Sequence, residues 1–152
     1  MSELGSWWSP YRITYTSSQI VWLLEHIVEL REGIWPSNPE GRSSGYIDPK
    51  IRVSGEYNRF SETVGIITGT LERRLLKTGL DGAMAYLRHS VELSYNEIAK
   101  LFHIPTSVAW ERVNLAIKFC TRRYDKKSTY SQYKKIRHDY IYRKQKAGGL
   151  AI

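Results

Sequence analysis

Between Ser94 and Phe119 the chain reads SYNEIAKLFHIPTSVAWERVNLAIKF, two apolar-periodic segments parted by Phe-His-Ile-Pro. Ser94 stands three residues before Glu97. At that spacing a hydroxyl accepts from an orphan amide while the carboxylate reaches back to the cap. Ile98, Ala99 and Phe102 then share one helical face, and Ala99 is small where a second helix has to cross closely. His103 falls in the turn, and histidine is among the few non-glycine residues that tolerate positive φ. Ile104 plugs the angle, Pro105 or Thr106 starts the next helix, and Ala109, Val113, Ala116, Ile117 and Cys120 face inward. The stretch predicts two short helices packed across a tight turn, and whatever else the chain forms has to pack against that pair.

The remaining segments supply helical stripes for this purpose. Residues 1–15 are irregular, with Trp7, Trp8, Tyr11, Ile13 and Tyr15 available for packing. A first helix is expected over 17–31, capped by Thr16, Ser17 or Ser18, with Ile20, Leu23, Leu24, Ile27, Val28 and Leu30 as its stripe. Gly33 ends it and Trp35-Pro36 follows as a stop. Residues 33–50 hold three prolines and three glycines and read as a long loop. A second helix is expected over 56–77, with Phe60, Val64, Ile67, Leu71, Leu75 and Leu76 inside, although Gly65 and Gly69 weaken it. Thr78-Gly79 breaks it before a third helix over 81–91 that carries Met84, Ala85, Leu87 and Arg88. In YIDPKIRV, Pro49 argues against a strand. The expected fold class is all-α.

Charge is distributed unevenly. Residues 122–146 hold ten Lys/Arg against Asp125 and Asp139, which equals the whole net charge of +8 and leaves the rest of the chain balanced. A neutral body with a basic C-terminal arm points to nucleic acid or another anionic surface. In STYSQYKKIRHDYIYRKQK, Tyr130, Tyr133, Ile136 or Arg137, and Tyr140 recur at helical spacing, with Ser128 as a cap and Gly148-Gly149 as a stop. The tyrosine face is expected to pack on the body or on a second subunit, in preference the latter, while the basic faces meet DNA. The chain divides into 1–55 (a helix and the Pro/Gly-rich loop), 56–121 (a helical domain whose turn motif spans 94–120) and the arm 122–152.

Other chemistries find little support. A single cysteine, Cys120, excludes an internal disulfide framework and fits a reducing, cytoplasmic setting. The amino-terminal MSELGSWWSPYR lacks the basic and apolar regions of a signal peptide, and runs such as IVWLL are too short for a membrane. His26, His89, His103 and His138 lie apart, without a ligand-spaced partner, so neither metal nor cofactor is expected. Glu25, His26 and Glu29 share a helix, where a solvated face is the simpler reading. No phosphate-cradling glycine loop and no nucleophile with a base is present, and no enzymatic activity is expected.

The stretch from Ser94 to Phe119 resembles the helix-turn-helix of the DNA-binding fourth region of bacterial sigma factors and its phage and regulator relatives. The preceding YLRHSVEL resembles the short helix that leads into that unit. The likeness covers roughly residues 80–120, about a quarter of the chain, and 152 residues leave no room for the other regions of a full sigma factor. It implies that the second helix enters the major groove of double-stranded DNA. Carried over, Thr106, Ser107, Trp110, Glu111 and Asn114 are the base-reading candidates, with Arg112 and Lys118 toward the backbone. Trp110 stands where the family often has a polar or basic residue, and docking on the chain's own N-terminal region or on a partner is its other reading. Further phosphate contacts would come from the arm: Arg122, Arg123, Lys126, Lys127, Lys134, Lys135, Arg137, Arg143, Lys144 and Lys146. The implied role is a phage- or prophage-type transcriptional regulator, acting as a homo-oligomer, with RNA polymerase or a phage packaging protein as partner. A small terminase subunit that recognises viral DNA for packaging is the alternative, and an adaptor that binds protein through the same fold is the third.

Overall fold

Thr16, of the three possible caps, starts the first helix, and it does so through a buried glutamine. Its hydroxyl accepts from the Gln19 amide at 3.2 Å while Gln19 Oε1 accepts from the Thr16 amide at 3.3 Å and from Thr14 N at 2.8 Å. Gln19 Nε2 donates to Arg12 O at 3.1 Å, so one side chain secures the whole approach to the helix. The computed structural model of the protein describes residues 7–38, 57–122 and 128–137, and the side chains of all of these except 57–61. Most of the expected loop at 33–50, the YIDPKIRV segment, a helix start at Glu56 and the side chain of Phe60 therefore lie outside the described residues.

The single helix expected over 17–31 is two: α1, Ser17–Glu25, and α2, Ile27–Arg31, separated at His26 with φ −110° and ψ 20°. The His26 amide is shared between Trp22 O and Leu23 O, and its ring lies 5.1 Å from that of Trp22 while Nδ1 meets Glu29 Oε1 at 3.1 Å. Ile20, Leu23, Leu24, Ile27 and Leu30 are buried as expected, but Val28 is 66% exposed. Ile27 and Leu30 already fill the inward side of the short α2, and Val28 points off it. Gly33, at φ 81°, closes α2 in a Schellman motif: Ile34 N donates to Glu29 O and Gly33 N to Leu30 O, both at 3.0 Å.

α3, Tyr57–Leu76, runs unbroken through Gly65 and Gly69. Val64, Ile67 and Leu71 are buried and Leu75 is half-buried, whereas Leu76 is 79% exposed because it falls past the edge of that stripe. Gly79, at φ 60° and ψ −130°, adopts a backbone conformation open essentially to glycine alone and redirects the chain into α4, Leu80–His89. Gly82 sits so close under α3 that a Cβ there would collide with Thr78 Oγ1 and Leu75 O, while a Cβ on Gly65 would meet nothing. Gly82→Ala is accordingly expected to cost about 1–3 kcal/mol by overpacking. Gly65→Ala should stabilise by about 0.5–1 kcal/mol, since it lies exposed within a helix. Urea midpoints measure both, and like effects at the two sites would contradict the close approach.

α5, Tyr95–Phe102, begins with the expected capping box: Glu97 N donates to Ser94 Oγ at 3.1 Å and Ser94 N to Glu97 Oε1 at 3.0 Å. The Ser94 amide first, then its hydroxyl, hold the Glu97 carboxyl below its ordinary pKa. His103 is left-handed at φ 58° and ψ 47°, and Ile104 N reaches back to Ala99 O. Pro105 precedes α6, Thr106–Cys120, whose Ala109, Val113, Ala116, Ile117 and Cys120 are buried. α6 packs against α1, α3, α4 and α5, most extensively against α4, and is the central element of the bundle. The core joins Ile20, Leu23 and Leu24 from α1 to Val64 and Leu71 of α3, Met84 of α4 and Val113 of α6, so residues 17–31 belong to the same core as the helical region beyond residue 56.

Beyond 123–127, which lie outside the described residues, a further helix, α7, includes the described residues 130–137. Thr129, not Ser128, caps it, by reciprocal bonds with Gln132 at 3.2 and 2.9 Å. Every regular element among the described residues is helical, and none is long and apolar enough to cross a membrane.

Candidate nucleic-acid interface

The buried face of α6 dictates what remains outside. With Ala109, Val113 and Ala116 held in the core, Thr106, Ser107, Trp110 and Glu111 are all exposed along the helix's N-terminal half. Thr106 is the least free of the four, since its hydroxyl donates to Asn96 Oδ1 of α5 at 2.9 Å. Trp110 is 54% exposed. Leu101 of α5 is also exposed, at 59%, so the motif carries two large apolar side chains on its surface.

Ser107, Trp110, Glu111, Asn114 and Lys118 follow one another at helical spacing along a single stripe, but the stripe changes character halfway. Asn114 is half-buried and its Nδ2 donates to Trp110 O at 2.7 Å. Asn114 and Lys118 line a cleft of about 620 Å³ between α6, α1 and the segments holding Trp7, Trp8 and Pro36. The structure thus separates Asn114 from the other base-reading candidates. Tryptophans form this cleft's wall: the Trp22 ring lies 5.5 Å from those of both Trp8 and Trp35. Trp7 Nε1 donates to Pro36 O and Trp35 Nε1 to Trp8 O, each at 2.8 Å, clipping the two flanking segments together.

Arg112, expected at a phosphate, turns inward instead. Its Nε donates to Asp81 Oδ1 at 2.7 Å, and Asp81, on the first turn of α4, is only 3% exposed. The other oxygen of that carboxylate, Oδ2, accepts from the Tyr130 hydroxyl at 2.5 Å. A buried carboxylate needs such partners. Burial first, then the bond to Asp81, pushes the Tyr130 hydroxyl pKa far up. Phe119 completes the junction, edge-on to Tyr130 at 5.2 Å and to Tyr133 at 5.4 Å. The preferred expectation for the arm, a tyrosine face reserved for a second subunit, is corrected here: Tyr130 and Tyr133 pack on the protein's own body.

Arg122 is likewise committed. It bonds Ser128 O and Oγ at 3.2 and 2.6 Å and lies over the rings of Phe119 and Tyr133. Lys134 and Lys135 are exposed, Lys134 with its ammonium 4.8 Å from the Tyr130 ring, and Arg137 is half-exposed. Arg123, Lys126, Lys127, Arg143, Lys144 and Lys146, with Tyr140 and the Gly148-Gly149 stop, lie outside the described residues.

Sequence reasoning misses the Asp81 junction and the tryptophan cleft. Nothing local signals either one, because Tyr130 and Asp81 are 49 residues apart and Trp7 and Pro36 are 29 apart. Lys100, exposed on α5, is a further cation beside the motif that the helical pattern does not single out. Burial raises the Cys120 thiol to about 12 and lowers His89 to about 4, so the one is an inert thiol and the other a neutral ring near pH 7. Among the described residues no three His, Cys, Asp or Glu side chains gather where a metal ion would bind. Comparison of the chain with protein-family models, with curated proteins and with solved structures finds no match.

Proposed function

We propose that the protein binds double-stranded DNA, with the N-terminal half of α6 in the major groove and cations of the arm on the phosphate backbone. One observation carries this reading. Ser107, Trp110 and Glu111 stand free on a helix whose opposite face is locked into the core and whose lead-in is a short capped helix ending in a left-handed turn. The likeness to the helix-turn-helix of sigma-factor fourth regions belongs to the same proposal, as does the role of a phage-type transcriptional regulator. A packaging subunit is the neighbouring role, and mass in solution distinguishes a dimeric regulator from a closed packaging ring.

Base reading falls to Ser107 and Glu111, with Trp110 beside them; serine bonds several bases and glutamate accepts from cytosine N4. Phosphate contact falls to Lys134, Lys135 and Arg137. On a duplex selected from random sequence, Ser107→Ala and Glu111→Ala should each cost about 1–3 kcal/mol while changing affinity for random duplex little. Equal losses on both duplexes would remove these residues from base reading. The exposed pair Trp110 and Leu101 favours a second reading, a protein-binding face. Trp110→Ala separates the two: a groove contact lowers DNA affinity, whereas a protein contact lowers self-association and spares DNA.

A further inference from the structure

The cleft beneath Trp7 and Trp8 is a built concavity that DNA reading leaves unused. On its α1 side Trp22 and Glu25 lie one turn apart, and on its α6 side Asn114 and Lys118 do the same. We propose that this cleft binds a small aromatic zwitterion: a planar apolar body carrying one ammonium and one carboxylate, the chemistry of a free aromatic amino acid. This inference stands independently of DNA binding.

Size and lining are the first argument. At about 620 Å³ the space suits one small molecule, within the roughly 300–1,000 Å³ usual for ligand sites. Trp7, Trp8 and Trp22 line it beside Val21 and Ile117, and indole rings pack edge-on or offset against another planar ring. Trp22 packs against Trp8 and Trp35, and the two indole N–H bonds to Pro36 O and Trp8 O hold the roof, so the aromatic surface is preorganised.

Charge selects the ligand further. Among the described residues neither the Glu25 carboxylate nor the Lys118 ammonium has an ion-pair or hydrogen-bond partner. Glu25 ends α1, where the helix dipole adds negative potential to its own charge. An anion such as a nucleotide meets Glu25 unfavourably, and a simple organic cation meets Lys118 unfavourably. A zwitterion answers both. Asn114, which donates one N–H to Trp110 O, offers its amide oxygen to accept from the ligand's ammonium.

Titration calorimetry on the full chain tests the proposal with three probes: L-phenylalanine, phenethylamine (no carboxylate) and 3-phenylpropionate (no ammonium). Phenylalanine should bind saturably and each single-charge analogue about tenfold more weakly or worse, the size of one missing charge-assisted hydrogen bond. Glu25→Gln should weaken phenylalanine and phenethylamine but spare phenylpropionate. Lys118→Gln should give the mirror image, with helical content by circular dichroism unchanged in both. No saturable phenylalanine binding, equal binding of all three probes, or variants that weaken all three alike would each overturn the assignment.

Discussion

Asp81→Ala is expected to produce the largest loss of stability of any polar substitution among the described residues, about 2–4 kcal/mol. Its carboxylate is 3% exposed and holds Arg112 on α6 and Tyr130 on α7 at once. Removing it strands a guanidinium and a buried hydroxyl together. A side chain one-third exposed lets water reach part of Arg112, which places the cost toward the lower end for a broken buried pair. Adding Arg112→Met to Asp81→Ala should recover part of the loss, because the stranded charge is then gone. Tyr130→Phe, which removes one bond and leaves Asp81 with Arg112, should cost only about 1–2 kcal/mol. It should raise amide exchange over 130–137 without raising it in α6. Urea midpoints for the parent and the three variants give the comparison, and an Asp81→Ala protein as stable as the parent would show that the junction contributes nothing.

The second large effect is on DNA affinity. Changing Lys134, Lys135 and Arg137 together to glutamine should weaken binding to every duplex alike. It should also flatten the dependence of log affinity on log salt, by about 0.9 for each phosphate no longer neutralised. None of the three holds the core: Lys134 and Lys135 are exposed, and Arg137 lies near the end of the described part of α7. Stability should therefore stay put while affinity falls. A triple variant with parental affinity and slope would remove α7 from the DNA surface.

What the sequence discloses tracks the range of the interaction. The α5 capping box, the left-handed His103, the Schellman glycine at Gly33 and the inward alanines of α6 depend on residues a few positions apart, and each is legible. Periodicity locates the stripes but not their edges, so Val28 and Leu76 are expected inside and lie outside. A tight turn at His26 does not break the apolar period, which is why α1 and α2 read as one helix. For the candidate site, the exposed row at Thr106, Ser107, Trp110 and Glu111 follows from the helical period. Arg112 does not, because its partner Asp81 lies 31 residues earlier and only the packing of α4 on α6 brings them together. Asn114 shares the stripe of the free residues, yet the Trp7–Trp8 segment turns its surroundings into a cleft. Tyrosines spaced for a helical face announce a partner without saying which one, and here it is Phe119 and Asp81.

Fluorescence anisotropy of a labelled random-sequence duplex, titrated with the intact chain across a salt series, decides whether the protein binds double-stranded DNA. Saturable binding is expected at low salt, weakening linearly in log affinity against log salt as phosphate contacts require. A folded protein that binds no duplex at low salt would contradict it.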